Sequence, residues 1–378
     1  MDLKLKKILI VNGLNRSGLS VASALKQAGD FKLHFVSTQR SLSGTVKRII
    51  NSHLIDSAEI ISGDYSDIYF ADRLIEISNR KNTDIIIPIG NAAIFISKIK
   101  HRLQKFCMVL IEDYEKLLCF HDKSQTLRIA TELDIPHPTT WLPEGINEVK
   151  TLASEIKYPA VLKARKGSGA HGVWYARDPS DLLDHYQRAT LPHKSGDGIV
   201  RDSTQPMVQA YIPGELHDVT AFCIDGQMKL GMTQQRLVTK PLSGGMGIVN
   251  VTTKNEQLLH YARKIIDKVK WNGVALIDFK IDRRDGQPKL LEVNPRFWGT
   301  TWLTIKAGLN YPYYLVLHAY GLPIDFPEEY KVGLHCRWPI TEFHTIFENP
   351  LNFSLIMSRF QDFLSRFKLK NCVYYLRP

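Results

Sequence analysis

The chain has 378 residues, 44% hydrophobic and 10% aromatic, enough apolar material for two or three domain cores, which excludes a disordered or low-complexity protein. Lysine and arginine number 49 against 38 acidic residues, a formal charge of +11. Such an excess suits nucleic acid, an anionic membrane, or acidic and phosphorylated ligands. The basic residues are dispersed, and no RNP-like motif, helix-turn-helix pattern or zinc finger accompanies them, so no nucleic-acid partner is expected. Cys107, Cys119, Cys223, Cys336 and Cys372 are odd in number, scattered and free of any CxxC pair, which argues against a disulfide framework or a zinc site. The apolar run opening at Ile8 is too short for a signal-peptide core. No apolar stretch reaches the roughly 18 residues of a spanning helix. A cytoplasmic location is therefore expected.

The first hundred or so residues alternate strand and helix. Ile8 to Val11 reads as a buried strand, Leu19 to Ala28 as a helix and Phe31 to Ser37 as a second strand. A helix around Asp72 to Asn79 and a strand from Asp84 to Pro88 follow. This alternation predicts a Rossmann-like parallel sheet covered on both faces. The loop Asn12 to Gly18 approximates the dinucleotide fingerprint, but Asn15 replaces its central glycine. The second strand runs into Gln39-Arg40 without an acid for a ribose. An NADP site with Arg40 on the extra phosphate is one reading. The favoured one is a glycine-assisted turn that binds no dinucleotide.

From about residue 113 the strands are expected to be antiparallel, with hairpin signals at Asp225-Gly226 and Asp285-Gly286. The stretch Leu191 to Gln205, rich in Ser, Gly, Pro and Asp, reads as a loop between two lobes. About the last fifty residues return to helix. Within Leu351 to Leu369, phenylalanines and leucines are mixed with Arg359, Arg366 and Lys368. This helix suits either a membrane surface or, as the favoured reading, its own domain.

Four segments carry chemistry. In Tyr158 to Arg165, period-two alternation puts Lys163 and Arg165 on one strand face, ahead of the glycines Gly167, Gly169 and Gly172. A loop of this kind turns backbone N–H groups onto phosphate oxygens, although it is not a Walker loop. In Met207 to Glu215, an apolar strand breaks at Pro213-Gly214 before an acid. Its backbone suits an adenine edge, and Glu215 suits ribose hydroxyls. The third segment is a hairpin that brings Asp278 within about one residue of register with Glu292, which shares a face with Asn294. Two carboxylates and an amide oxygen suit Mg²⁺, with Ile277, Phe279, Leu291 and Val293 on the core face. The fourth, Gln234-Gln235-Arg236 with Lys240 and Gly244-Gly245, reads as a basic loop for an anion.

Together these segments resemble the ATP-grasp superfamily, in the branch of the carbamoyl-phosphate synthetase large chain and D-aspartate ligase-like enzymes. The resemblance covers roughly residues 113 to 315. It implies a Rossmann-like domain over 1–112, an α+β grasp fold over 113–325 with lobes at about 113–200 and 206–325, and a helical segment over 326–378. Lys123, following Asp122, is similar to the first nucleotide-binding lysine and Lys163 to the second. Gly167, Ser168, Gly169 and Gly172 resemble the flap, Gln209, Ala210, Tyr211 and Ile212 the adenine segment, and Glu215 the ribose acid. Asp278, Glu292 and Asn294 are similar to the metal ligands, and Arg296 and Arg236 to arginines beside the transferred phosphate. Ala210 stands where relatives often carry glutamate, and Asp278 is shorter than the usual glutamate.

The implied activity is an ATP-dependent carboxylate–amine ligase acting through an acyl phosphate, with Mg²⁺, for which Mn²⁺ substitutes. Implied partners are a small carboxylate and an amine. A sugar acid, a lipid-linked glycan and a homodimer stay open. Bicarbonate activation, as in carboxylases, and a non-catalytic ATP sensor are the alternatives. No Ser-His-Asp or Cys-His constellation is present, and His121, His171 and His217 are expected to be structural or surface residues.

Overall fold

A computed structural model describes residues 3, 5–38, 53–62, 68–167, 172–190, 206–347, 353–369 and 371–374. Arg40, Ser168, Gly169, His171, Leu351 and the loop 191–205 lie outside the described residues.

The first sheet is parallel, in the order β3-β2-β1-β4-β5. Its strands are β1 (Lys7–Val11), β2 (Lys32–Thr38), β3 (Ser57–Ile61), β4 (Ile85–Pro88) and β5 (Met108–Val109). Alternate side chains of β1 leave opposite faces. Ile8 and Ile10 join Leu19, Ala22 and Leu25 of α1 (Arg16–Ala28), while Leu9 and Val11 pack on Phe70, Leu74 and Ile77 of α2 (Ile68–Lys81) and Ala92 and Ile96 of α3 (Ala92–Lys98).

Helix α1 starts a turn earlier than its apolar period suggests, because the Asn15 side chain caps it by accepting from the Gly18 N–H at 3.0 Å. The residue that breaks the dinucleotide pattern thus has a structural role. Gly18 has one too: a Cβ there would lie 2.2 Å from the Gly13 carbonyl oxygen. Backbone cannot swing aside as a side chain can, so Gly18→Ala is expected to destabilise the protein by about 1–3 kcal/mol, read as a lowered urea midpoint. An unchanged midpoint would show that the turn yields.

A small antiparallel sheet follows, in the order β6-β9-β7-β8. It comprises β6 (Thr140–Trp141), β7 (Ala160–Lys163), β8 (Val173–Ala176) and β9 (Met207–Ala210). Helices α4 (Tyr114–His121) and α5 (Lys123–Glu132) precede it. Val149 and Ala153 of α6 (Ile146–Glu155) and Leu182 and Tyr186 of α7 (Pro179–Thr190) cover its Ala160, Leu162 and Val208.

The largest sheet runs β14-β13-β10-β11-β12-β15-β16. Its members are β10 (Gly214–Ile224), β11 (Gln227–Lys240), β12 (Met246–Thr253), β13 (Gly273–Asp282), β14 (Pro288–Asn294), β15 (His335–Arg337) and β16 (Cys372–Tyr374). The β10–β11 turn has Asp225 at φ +51° and Gly226 at φ +74°, the left-handed pair that an Asp-Gly hairpin needs. One face takes Leu258, Ala262, Ile265 and Ile266 of α8 (Glu256–Val269) against Val219, Ala221, Ile277 and Phe279. On the other face, Phe222, Trp298 and Tyr311 share a core with Ile8 and Ile10, so the first sheet is packed against the large one.

Two expectations need correction here. The segment 326–378 is not wholly helical: β15 and β16 extend the large sheet. They pair in parallel, unlike the antiparallel strands before them. Strands of three residues carry no readable period, whereas the apolar spacing of α11 and α12 below does. After α9 (Thr301–Lys306) and α10 (Tyr311–Ala319) come α11 (Pro339–Ile346) and α12 (Phe353–Ser365). Phe363 and Phe367 lie over the buried guanidinium of Arg337, which donates to Glu342 at 2.9 and 2.8 Å, so the tail packs on its own domain. Among the described residues no helix is long and apolar enough to cross a membrane.

Candidate active site

The site is assembled from the ends of four elements. Asp122 caps α5 by accepting from the Ser124 N–H at 3.0 Å, and Arg165 grips the same carboxylate at 3.1 Å. The cap places Lys123 at the first helical position, and its N–H donates to the Arg165 carbonyl at 3.0 Å. The Lys123 ammonium is thereby aimed inward, where it donates to the Gly167 carbonyl at 3.1 Å and meets Glu292 at 3.2 Å. Lys163 ends β7 on the same side. Of the flap, Gly167 at φ +140° and Gly172 at φ +76° are described, joined by the Ala164 N–H donating to the Gly172 carbonyl at 2.9 Å.

Asp278 stands directly opposite Glu292 in the β13–β14 ladder, as the hairpin reading required. Asn294 donates to Glu292 at 3.2 Å and accepts from Arg296 at 3.2 Å. One assignment changes. The register shifts just after Asp278, so Phe279 faces Leu290, and Leu290 rather than Leu291 joins Ile277, Phe279 and Val293 in the core. A bulge at Leu291 inserts an extra residue and flips the alternation, which no local pattern announces. The turn is also longer than an Asp-Gly pair. Gly286 alone is left-handed, at φ +69°, and Asp282 reaches across to the Gln287 carbonyl at 3.0 Å.

Arg236 departs further from expectation. It lies within β11, not in a loop, and its guanidinium is taken up by carboxylates: Asp218 through Nε at 3.0 Å and through Nη2, and Asp278 at 2.7 Å, with the Gly245 carbonyl at 2.9 Å. Glu292, Asp278, Asp218 and Gln234 stand in consecutive register across β14, β13, β10 and β11. Gln234 donates to Asp218 at 2.7 Å and to Thr300 at 2.8 Å. Asp218 is as central as any residue the sequence singled out, and Gln234, named there as part of a basic loop, stands beside it in the sheet. Asp218 itself sits inside a largely buried strand with no acidic repeat to mark it.

The Gln209 to Ile212 segment leads from the small sheet to the large one. The Gln209 side chain is buried and donates to Thr140 at 2.9 Å, so it builds the wall instead of offering its N–H₂ to a ligand. Lys280 donates to the Ile212 carbonyl at 2.8 Å and lies 5.1 Å from the centre of the Tyr211 ring. Glu215 is exposed and accepts from Gln235 at 2.7 Å. His217 is not a surface residue: both ring nitrogens are buried without a hydrogen bond, and the Glu215 carboxylate is 3.9 Å away.

The electrostatics follow from crowding charge out of water. Burial would raise the Glu292 carboxyl, but Lys123 and Lys163 overcome it and hold the group at about 2. Burial raises Asp278 well above the carboxylate range, with Asp218 and Glu292 adding to the effect against Arg236. Burial, partly countered by Glu292, brings Lys163 down to about 8. Lys123, Gly167, Glu292, Asn294, Arg296 and the first-domain residue Asn91 line one cleft. Such a site binds an extended polyanion with lysines and leaves oxygen ligands for a cation.

Residues 203–340 match the family described as ATP-grasp in the biosynthetic pathway with Ter operon. Over 276 residues the chain is 22% identical to a D-aspartate ligase of Enterococcus faecium, covering 68% of this chain and 64% of that protein. Over 372 residues it is 22% identical to a pyruvate carboxylase of Staphylococcus aureus, covering 92% of this chain and 31% of that protein. The fold is similar to that of a biotin carboxylase of Campylobacter jejuni solved with a β,γ-ATP complex, at a TM-score of 0.69 and 17% identity over 88% of this chain and 74% of that one. The family match, the D-aspartate ligase and carbamoyl phosphate synthase relatives and the biotin carboxylase fold all point to the ATP-grasp superfamily. The ATP-grasp fold accounts for the two facing sheets, the small one with its glycine-bearing hairpin and the large one with its polar row. A second solved neighbour, the N5-carboxyaminoimidazole synthetase of Staphylococcus aureus, has a TM-score of 0.63 at 14% identity, over 88% of this chain and 82% of that one.

Proposed function

We propose that this ATP-grasp chain is an ATP- and Mg²⁺-dependent carboxylate–amine ligase that forms an acyl phosphate and releases ADP and phosphate. The observation that carries the reading is one cleft lined by Lys123, Glu292, Asn294 and Arg296, with Asp278 opposite Glu292 in the ladder and Lys163 close enough to feel the Glu292 charge.

The donor set fits a hard cation. Asp278 Oδ1 is buried with no hydrogen-bond partner, and burial raises the carboxyl well above its usual range. Asp278, Glu292 and the Asn294 amide would hold the ion, since hard oxygen donors suit Mg²⁺. When bound, Mg²⁺ neutralises phosphate charge and orients the phosphates. Lys123 and Lys163 face the phosphates, the backbone from Gln209 through Ala210 and Tyr211 to Ile212 lines the adenine, and Glu215 takes the ribose. Gly167 and Gly172 bracket the segment that resembles the flap, whose part in this reading is to keep water from the reacting groups. A carboxylate oxygen attacks the γ-phosphorus as ADP leaves, and Arg296 steadies the transferred phosphoryl group. An amine then displaces phosphate. Arg236 acts from beneath by holding Asp278 in place.

The test is phosphate release from Mg-ATP with pooled carboxylates and amines. Release that needs both pools is the expected result, and tight nucleotide binding with no release in any pool would point to a sensor. Bicarbonate as the carboxylate is the second reading, favoured by the pyruvate and urea carboxylases among the relatives. Turnover with bicarbonate and no other carboxylate would establish it. Small molecules are the substrates proposed, in keeping with the D-aspartate ligase among the relatives.

A proton-linked effect follows from Lys163. In the free protein it is half-charged near pH 8, and a bound triphosphate favours the charged form. ATP binding is therefore expected to take up protons at pH 8 and above, with affinity falling as pH rises further. Calorimetry in buffers of differing ionisation heat reads the uptake. Absence of uptake between about pH 8 and 9 would remove Lys163 from the phosphate site.

A further inference from the structure

The cleft that holds Lys123, Glu292 and Arg296 has a second wall that the ATP chemistry leaves unused. It is built from Asn91, Ala93 and Ile94 of the first domain and from Leu117, Phe120 and His121 of α4. Asn91 lies just past the end of β4, and the Asn12 side chain, just past β1, donates to the Ile89 carbonyl at 3.1 Å. The wall thus lies at the carboxyl ends of β1 and β4. In the order β3-β2-β1-β4-β5 the winding of the sheet reverses between those two strands, and a parallel sheet offers its ligand crevice at that reversal. Here the crevice opens onto the phosphate-binding groups.

His121 is the polar group of this wall whose chemistry is best defined. It is largely buried. Burial first, and then Lys123, Arg296 and Lys166, push its pKa down to about 4, so the ring is neutral at physiological pH. Among the described residues it makes no hydrogen bond. A neutral imidazole facing a cleft offers one acceptor and one donor. The surrounding cations disfavour an ammonium and select the free amine, the only form able to attack an acyl group. Ala93, Ile94, Leu117 and Phe120 present an apolar surface beside it.

We propose that this wall seats the nucleophile, a neutral primary amine on a small and partly apolar molecule, and that His121 accepts a hydrogen bond from its N–H. The proposal rests on the ligase reading above and names the second substrate's place and class. His121 directs the nitrogen lone pair at the acyl carbon. The C–N bond forms as the C–O bond to phosphate breaks, and the proton shed by nitrogen leaves on the phosphate as hydrogen phosphate.

The experiment uses the full chain as wild type, His121→Lys and His121→Gln, with Mg-ATP, pooled carboxylates, and a pool of alkylamines, ethanolamine and amino acids of both hands. Exchange of ¹⁸O within the β,γ-bridge of ATP, with carboxylates alone, reads acyl-phosphate formation. His121→Lys is expected to leave that exchange within about threefold while raising the amine KM about thirtyfold, and His121→Gln, which keeps a neutral acceptor, to restore most of the loss. In parallel, ¹⁵N-histidine NMR of the wild type with Mg²⁺ and a non-hydrolysable ATP analogue is expected to show the His121 ring shifting when the amines are added. An amine KM unchanged in His121→Lys, or a His121 signal silent to every amine, overturns the proposal. If the wild type shows no ¹⁸O exchange with any carboxylate, it is the ligase reading that fails, and the NMR titration still decides the cleft.

Discussion

Glu292→Gln is expected to slow Mg-ATP turnover by at least about a thousandfold, equivalent to ~4 kcal/mol of transition-state stabilisation. Glutamine keeps the shape of the side chain but removes the charge that pairs with Lys123 at 3.2 Å and that stands beside Asp278 in the ladder. The loss therefore falls on the metal and on the transferred phosphoryl group. Lys123 is released from its carboxylate, so nucleotide affinity measured without Mg²⁺ should hold or tighten, while affinity with Mg²⁺ should weaken. Steady-state phosphate release and fluorescent-nucleotide titrations, with and without Mg²⁺, separate these effects. Turnover retained within about tenfold would take Glu292 out of the metal set.

Arg236→Ala is expected to be the most destabilising substitution in the site, at about 3–5 kcal/mol. Burial of the guanidinium opposes its charge, but Asp218 and Asp278 more than compensate and raise its pKa. Its removal leaves Asp218 and Asp278 directly opposed across β10 and β13, both buried, with no cation between them. Lysine cannot replace the fork, which meets Asp218 through two nitrogens and Asp278 through one of them. Denaturation midpoints give the readout. Leu237→Ala, on the same strand but 39% exposed, is the control and should cost within about 0.5 kcal/mol. Mg²⁺ should recover part of the Arg236→Ala loss, because a cation on Asp278 substitutes for the missing charge. A midpoint like that of the control, with activity abolished, would make Arg236 a ligand contact and not a support for Asp278.

Much of the fold was readable because it rests on short-range periodicity. The alternation of β1, α1 and β2, the Asp-Gly hairpin at Asp225-Gly226, and the shared face of Glu292 and Asn294 each follow from spacings of two or three to four residues. Asp122 and Lys123 came from the family resemblance, and the structure places them at the cap and first position of a helix. Two features escaped. The bulge at Leu291 exchanged Leu290 for Leu291 in the core, and the strands β15 and β16 were too short to show a period.

The sequence by itself determined the strand–helix alternation of the first domain, the turn at Asp225-Gly226 and the chemical types gathered near the β13–β14 hairpin. It did not determine which strand lies beside which. The ladder sets Asp278 beside Asp218 and Asp218 beside Gln234, and so turns Arg236 from an anion clamp into the buried partner of two carboxylates. Packing of α4 on β14 and on α3 places Asn91 and His121 on the same cleft as Arg296. These are contacts between residues far apart in the chain. Their free energy comes from burying charge and apolar surface together, and no local pattern encodes it.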